Sequence, residues 1–247
     1  MTTKIIASRD APGTVIDGEQ WTAVEARGHR YERLVVRTRW LEPADDLVAS
    51  AHEAVAGMVR SGDTVFVSEK LVILLTGRTV PADAVHPGRL ARMLVGFVKP
   101  RPGSRGLSVP EKMQYVIDRT GRPRVVVAAA ASAITRPFGW HGVFYRVAGS
   151  LARDLDGGRP PYEHLLFPPL DRVDARVIAN ILEEAMGTGV AIVDLNDFGG
   201  SVRATSERAL PARELLSALG DNPLGQRAAG TPFGILRPVA GDVTPVP

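Results

Sequence analysis

The sequence predicts a fold that combines strands and helices, of the α/β or α+β class, on three observations. Residues 190–193 form an uninterrupted apolar run, which is typical of a strand that is buried on both faces. Residues 64–68, in which three apolar residues lie between a threonine and a serine, are a second strand candidate directly after a Gly-Asp turn. Strand-like and helix-like segments alternate along the chain without an internal repeat. The length allows one large domain or two small ones.

The remaining elements follow from apolar spacing and from proline and glycine positions. Acidic residues and Pro43 predict a helix that starts at residues 42–46, because both residue types favour the first helical turn, and apolar residues then recur at helical spacing. Pro110 predicts a second helix start in the same way. Further strands are expected at 34–36, 142–149 and 231–239, and further helices at 87–98, 174–186 and 211–219.

Four segments have weaker patterns. Residues 1–30 are expected to form a lead-in with one short strand, and residues 154–169 a loop rich in glycine and proline. Residues 100–109 are expected to be a surface loop, with a lid over a site as the alternative. Residues 124–132 are alanine-rich, so that strand and helix remain equally open there.

Composition limits the class of protein. The chain has 247 residues, of which 45% are hydrophobic and 23% are charged, and it contains no cysteine. Disulfides and thiolate metal sites are therefore excluded, and the absence of a signal-like N-terminus leads us to expect a cytoplasmic protein. No apolar run can span a bilayer, so we expect no membrane partner. The net charge is +3, and arginines at 27, 30, 33, 37 and 39 do not alternate with stacking aromatic residues, since Tyr31 alone lies among them. An anionic small molecule therefore explains them as well as DNA or RNA does. Of the two we expect the small molecule and no nucleic acid.

The strongest candidate for a site is the acidic segment that follows the buried run at 190–193. Asp194, Asn196 and Asp197 precede Gly199 and Gly200. Carboxylate and amide oxygens suit a hard cation such as Mg²⁺ or Mn²⁺ beside a phosphate. The same residue types are also common in ordinary turns, and that alternative stays open at this point.

Other charged residues are expected at strand ends, within a strand or, for Asp154 and Asp156, in a glycine-rich turn, where they could share one cleft with Asp194. They are Arg37, Arg39, Lys70, Arg146, Asp154 and Asp156. No phosphate-binding loop, dinucleotide fingerprint or nucleophile elbow is present, and the five histidines are scattered. Acids around a cation, with arginine or lysine nearby, are typical of a nucleotide or polyphosphate site.

The ordered series of segments resembles the coenzyme F-420-0:γ-glutamyl ligase family over residues 33–239, which would make residues 1–247 a single ligase-like domain with a lead-in. The matching segments are 39–47, 62–70 with 77–78, 141–149, 165–171 and the segment at Asp194. The resemblance implies a ligase-like fold of mixed sheets with flanking helices and a homodimer. It also implies that GTP and Mg²⁺ or Mn²⁺ are used to join L-glutamate to a phosphorylated deazaflavin acceptor.

The resemblance also assigns roles to individual residues. Expected catalytic residues are Asp194, Lys70 and Arg146. Expected nucleotide-binding residues are Arg39, Trp40, Leu41, Glu69, Lys70, Arg78 and Asn196. Expected metal ligands are Asp154, Asp156, Asp194 and Asp197.

The chain departs from the family pattern at four positions. Glu69, Leu74, Thr76 and Leu151 stand where the family has serine, lysine, glutamate and a metal-binding aspartate. Loss of that lysine removes a point charge from the triphosphate site, and Lys70 would have to replace it. Two alternatives follow: an amide ligase with another acceptor, or a binding protein that keeps the fold without catalysis.

Overall fold

The computed structural model describes residues 20–98, 106–158, 160–196, 199–225 and 230–239. The strands in this part of the chain are β1 (Thr22–Ala26), β2 (His29–Val36), β3 (Thr64–Ser68), β4 (Val80–Pro81), β5 (Asp156–Gly157), β6 (Leu165–Phe167), β7 (Gly189–Asn196), β8 (Gly199–Thr205) and β9 (Phe233–Pro238). The helices are α1 (Leu47–Val55), α2 (Glu69–Leu75), α3 (Arg89–Val95), α4 (Pro110–Thr120), α5 (Arg122–Thr135), α6 (Val143–Ala148), α7 (Ser150–Asp154), α8 (Arg172–Met186) and α9 (Ala212–Ala218). The fold is therefore mixed α/β, as the sequence predicts.

The chain forms two compact units. The first unit contains residues 20–77 and 170–239, and the second contains residues 78–169. The first unit is built on a six-stranded sheet in the order β1-β2-β9-β3-β7-β8. In this sheet β3 and β7 are parallel, and the other pairs are antiparallel. The second unit contains a small sheet in the order β4-β6-β5, and α3 to α7.

The central strands β3 and β7 of the six-stranded sheet are buried on both faces over most of their length. Residues 64–67 of β3 and 189–193 of β7 are all buried, as expected for strands that carry continuous apolar runs. Helix α8 packs against β7, β8 and α1, and α9 packs against β1 and β8. Phe66, Ala191, Val193 and Leu236 form one core with residues of α9.

Several predicted elements are confirmed. Strand β3 has the predicted bounds, β7 contains the predicted run, and α4 begins at Pro110. Residues 124–132, which the pattern left open, lie in the helix α5. No helix in the described part of the chain combines the length and the apolar character that crossing a bilayer requires.

The strand predicted at residues 142–149 is wrong, since this segment forms the helix α6. Gly142 and Gly149 flank the helix, with φ of 78° and 102°. These left-handed backbone values are accessible to glycine at little cost and turn the chain at both ends. A six-residue segment between such turns, apolar except for Arg146, is too short for a period that separates helix from strand. Arg146 consequently lies on a helix and is exposed to solvent.

Two other expectations need correction. Helix α1 starts at Leu47, later than predicted, because Asp45 accepts the Glu42 N–H at 2.6 Å in a turn and Asp46 caps the helix through the Ala49 N–H at 2.7 Å. The segment 154–169 is not all loop, since it contains the end of α7 and the strands β5 and β6. Strand β8 was not predicted.

We expect Gly234→Ala to destabilise the first unit. Gly234 lies in β9, and a Cβ there would overlap the Phe66 ring and lie 2.7 Å from the Leu34 carbonyl oxygen. Overpacking of this kind costs about 1–3 kcal/mol, which a urea titration would show as a lower midpoint. Gly220→Ala is the matched control, because its Cβ would lie 3.4 Å from the nearest atom. Equal midpoints for the two variants would show that β9 moves away from Phe66 without cost.

Candidate functional site

The parallel pair β3 and β7 brings two sequence-distant acidic residues to one edge of the six-stranded sheet. Ser68, the last residue of β3, pairs with Val193. Glu69 and Asp194 follow these two residues directly, so both lie where the carboxyl ends of the strands meet. We call this place the β3–β7 edge and define it by Glu69, Lys70, Asp194, Asn196 and Arg203.

Arg203 reaches the β3–β7 edge from a β-bulge in β8. Ile192 pairs with Ala204 and Val193 pairs with Val202, so that Arg203 is the extra residue between them. A bulge interrupts the alternation of side chains and can redirect one of them. The buried Arg203 side chain consequently lies between Glu69 and Asp194.

Glu69 is a buried acid whose carboxylate contacts Arg203 of β8 and the backbone of Leu170. It is 5% exposed, and its Oε1 lies 2.8 Å from Arg203 Nε and accepts the Leu170 N–H at 2.8 Å. Burial raises the pKa of Glu69 above its ordinary value, while Arg203 and the Leu170 N–H oppose the rise. The carboxylate therefore links α2 to β8 and to the segment that precedes α8.

Asp194 is the acidic side chain of this edge that solvent reaches. Its side chain is 38% exposed, and its Oδ2 lies 3.9 Å from Arg203 Nη2. Asn196 ends β7 and is exposed, and so is Lys70 in the first turn of α2. Of the predicted site residues, the structure thus brings Asp194, Asn196, Glu69 and Lys70 to one edge.

Two oxygen-bearing side chains of this edge, Asp194 and Asn196, could form part of a site for a hard cation. The described residues contain no group of three or more His, Cys, Asp or Glu side chains placed to hold a metal ion. Mg²⁺ in phosphate sites is commonly held by one or two carboxylates together with phosphate oxygens and water. Asp194 with Asn196 can supply such a partial shell, whereas Glu69 is already in contact with Arg203 and Leu170.

Arg39, Trp40 and Leu41, which were expected to contact a nucleotide, lie before α1. Arg39 forms a two-pronged ion pair with Asp45, with N–O distances of 2.9 and 2.6 Å. Its guanidinium lowers the pKa of Asp45 through this hydrogen-bonded contact. Trp40 is exposed, and Leu41 is buried in the core.

The other predicted site residues lie in the second unit. Arg78 and Arg146 are exposed. Asp154 ends α7, and its Oδ1 lies 2.8 Å from Arg153 Nε. Asp156 starts β5 opposite Phe167. The adjacent Gly157 leaves room for the buried Lys112, whose Nζ would lie 3.0 Å from a Cβ at that position.

The positions that depart from the family pattern are structural residues in this protein. Leu74 is buried in α2, and the Thr76 hydroxyl donates to the Val72 carbonyl at 2.6 Å. Leu151 lies in α7 and packs against the core of the second unit. Asp197, a predicted metal ligand, lies outside the described residues.

Sequence reasoning missed Arg203. Gly199 and Gly200 after an acidic turn are a signal for a hairpin, which would have predicted β8 opposite β7. Simple alternation along β8 could not have placed Arg203, because the bulge shifts the register by one residue.

In comparisons with known proteins, the chain matches no family model and no curated protein. The resemblance to the γ-glutamyl ligases therefore remains a prediction from the ordered segments alone.

We expect Asp45→Asn to lower stability at neutral pH and to have little effect in acid. The pKa of Asp45 lies below its ordinary value of 3.8 because Arg39 holds the ionised form. Such a contribution is present above the ordinary pKa and is lost as the pH falls through the lowered pKa of the folded state. Urea titrations of both proteins across this range measure the difference, and a gap that persists at the lowest pH would rule out the ionic contribution.

We expect Arg203→Met to destabilise the first unit by about 3–5 kcal/mol, because it leaves the buried Glu69 carboxylate without its ion-pair partner. The double variant Glu69→Gln with Arg203→Met should recover part of that loss, since no buried carboxylate remains. A double-mutant cycle in urea measures the coupling. Additive effects of the two substitutions would contradict a direct interaction.

Proposed function

We propose that this protein is a nucleotide- and metal-dependent acid–amino-acid ligase of the coenzyme F-420-0:γ-glutamyl ligase type. It would join L-glutamate to a phosphorylated deazaflavin acceptor through an amide bond. The observation that carries the proposal is the half-exposed Asp194 at the β3–β7 edge, held beside the buried Arg203. The order of family-like segments along the chain supports the same class.

Asp194 and Asn196 would hold Mg²⁺ or Mn²⁺ together with the phosphates of GTP, and the cation would neutralise charge on those phosphates. Lys70, exposed one residue after Glu69, is the cation on this edge that we assign to the triphosphate. Arg203 would keep the Asp194 carboxylate in place. All four of these side chains lie in the first unit.

The proposed reaction has two steps. A carboxylate oxygen of the acceptor attacks the γ-phosphorus of GTP, so that an acyl phosphate forms and GDP leaves. The amine of L-glutamate then attacks the acyl carbon, which expels inorganic phosphate and gives the amide after loss of a proton. Lys70 would stabilise charge on the transferred phosphoryl group, and positioning would supply most of the remaining acceleration.

A second candidate is a protein that binds a nucleotide or another small anion without catalysis. Two observations favour it. Arg39 is paired with Asp45, and Glu69 is buried against Arg203, although both were expected to contact the nucleotide. A protein with this role would bind its ligand at the same edge but would not turn it over.

We expect Asp194→Ala to abolish Mn²⁺-dependent GTP binding without unfolding the protein, since Asp194 is only half buried. Calorimetric titration of GTP in the presence of Mn²⁺ gives the affinity, and thermal unfolding gives the coupled stabilisation. That stabilisation is about 2.7 kcal/mol at a hundredfold excess over the dissociation constant. Glu184→Ala, an exposed acid on α8, is the matched control.

The same proteins separate the two candidates. A ligase should release phosphate from GTP only when the deazaflavin acceptor and L-glutamate are both present, and Asp194→Ala should not. Binding without phosphate release would favour the second candidate. If the Asp194→Ala variant binds GTP with unchanged Mn²⁺-dependent affinity, the β3–β7 edge is not the binding site of either the ligase or the non-catalytic binding protein.

A further inference from the structure

The second unit exposes a continuous apolar surface along α5. Exposed apolar residues recur at four-residue spacing and are followed by a tryptophan. They are Val126, Ala130, Ile134, Phe138 and Trp140. The exposed fractions are 68% for Ile134, 77% for Phe138 and 66% for Trp140. The backbone N–H of Trp140 donates to the Thr135 carbonyl at 3.3 Å, which keeps the backbone of residue 140 next to the end of α5. We call these five residues the α5 ridge.

The residues of the α5 ridge do not belong to the buried core of the second unit. The buried side of the helix is formed by Val125 and Ala128, which pack in the core of residues 78–169. An aromatic side chain buries about 150–250 Å² when it is fully covered. Phe138 and Trp140 alone therefore leave on the order of 200 Å² or more uncovered, and large apolar patches on soluble proteins commonly mark interaction sites.

The segment that contains the α5 ridge is rich in arginine, although one of these arginines, Arg153, is paired with Asp154 at 2.8 Å. Residues 119–153 contain six arginines and no aspartate or glutamate. The whole segment 78–169 contains 14 Lys and Arg against 6 Asp and Glu, a net charge of +8 in a chain whose total is +3. Arg122 opens α5 and Arg136 follows its last residue, and both are exposed. The partner of this surface should accordingly be both anionic and apolar.

We propose that the α5 ridge docks on an anionic lipid surface. Helices that lie in the plane of a bilayer combine apolar and aromatic residues with arginine or lysine, which is the combination found here. Such docking needs no membrane-spanning helix. The aromatic residues would enter the interface while Arg122 and Arg136 contact anionic headgroups.

The charge and the side-chain types disfavour two other occupants. A second copy that paired through the same ridge would bring two arginine-rich surfaces together without an acid in residues 119–153 to offset them. Single-stranded nucleic acid binds through aromatic side chains on which bases stack. Phe138 and Trp140 could stack on bases, but Val126, Ala130 and Ile134 offer no such platform, so that the part of the ridge along α5 would stay uncovered.

The test is co-sedimentation of the full chain with vesicles of phosphatidylcholine alone and with vesicles that also contain phosphatidylglycerol. We expect binding to the anionic vesicles only, and we expect salt to weaken it. Each arginine near an anionic surface contributes about 1 kcal/mol, or roughly fivefold in affinity. The pair Arg122→Gln with Arg136→Gln should therefore weaken binding by roughly twentyfold or more.

A triple variant tests the apolar contribution. Ile134→Ser, Phe138→Ser and Trp140→Ser should abolish vesicle binding. The matched control is Val173→Ser, Val177→Ser and Ile181→Ser, which removes three exposed apolar side chains at four-residue spacing on α8. That control should bind anionic vesicles as the unchanged protein does. Circular dichroism of each variant establishes that it is folded.

Three results would overturn the proposal. The first is equal binding, or none, to the two kinds of vesicle. The second is an equal loss in the α8 control. The third is a different occupant: a dimer in light scattering that the α5 variant alone converts to a monomer, or binding of a single-stranded oligonucleotide that only the α5 variant loses. None of these results depends on ligase activity or on Asp194.

Discussion

The parallel pairing of β3 with β7 determines where polar side chains can meet in this protein. Parallel strands require a long crossover connection, and here that connection contains α2, the whole segment 78–169 and α8. The register places Glu69 and Asp194 at one edge although they are far apart in sequence. Strand β9 completes the arrangement by pairing with β3 on its other side, where Gly234 lets the Phe66 ring approach.

Arg203 determines how the two acidic residues at the β3–β7 edge differ from each other. A buried ion pair stabilises little by itself, because both charges lose their hydration. Its effect is positional: the guanidinium lies 2.8 Å from Glu69 and 3.9 Å from Asp194. Glu69 is thereby confined to the interior, and Asp194 is left as the carboxylate that solvent reaches. The β-bulge at Arg203 produces this asymmetry.

Local patterns predicted the parts of the fold that have long or strongly apolar signals. The run in β7, the bounds of β3 and the Pro110 start of α4 follow from residue types within each segment. Short segments between glycines were misassigned, as α6 shows, because their structure is decided by packing. The sequence indicated that Asp194 and Lys70 lie where strands end, as the structure has them, whereas Arg203 depends on a bulge that no local pattern encodes.

Because Glu69 is paired with Arg203, it is not a ligand that a cation at this edge could use. A cation held by Asp194 and Asn196 would have few protein oxygens, so phosphate and water would have to complete its shell. Its affinity without a nucleotide would then be low, and a nucleotide without the cation would meet Asp194 as an unscreened like charge. Each ligand should strengthen the binding of the other, by the same factor in both directions. Under the proposed function, neither the cation nor the nucleotide would bind tightly at this edge without the other.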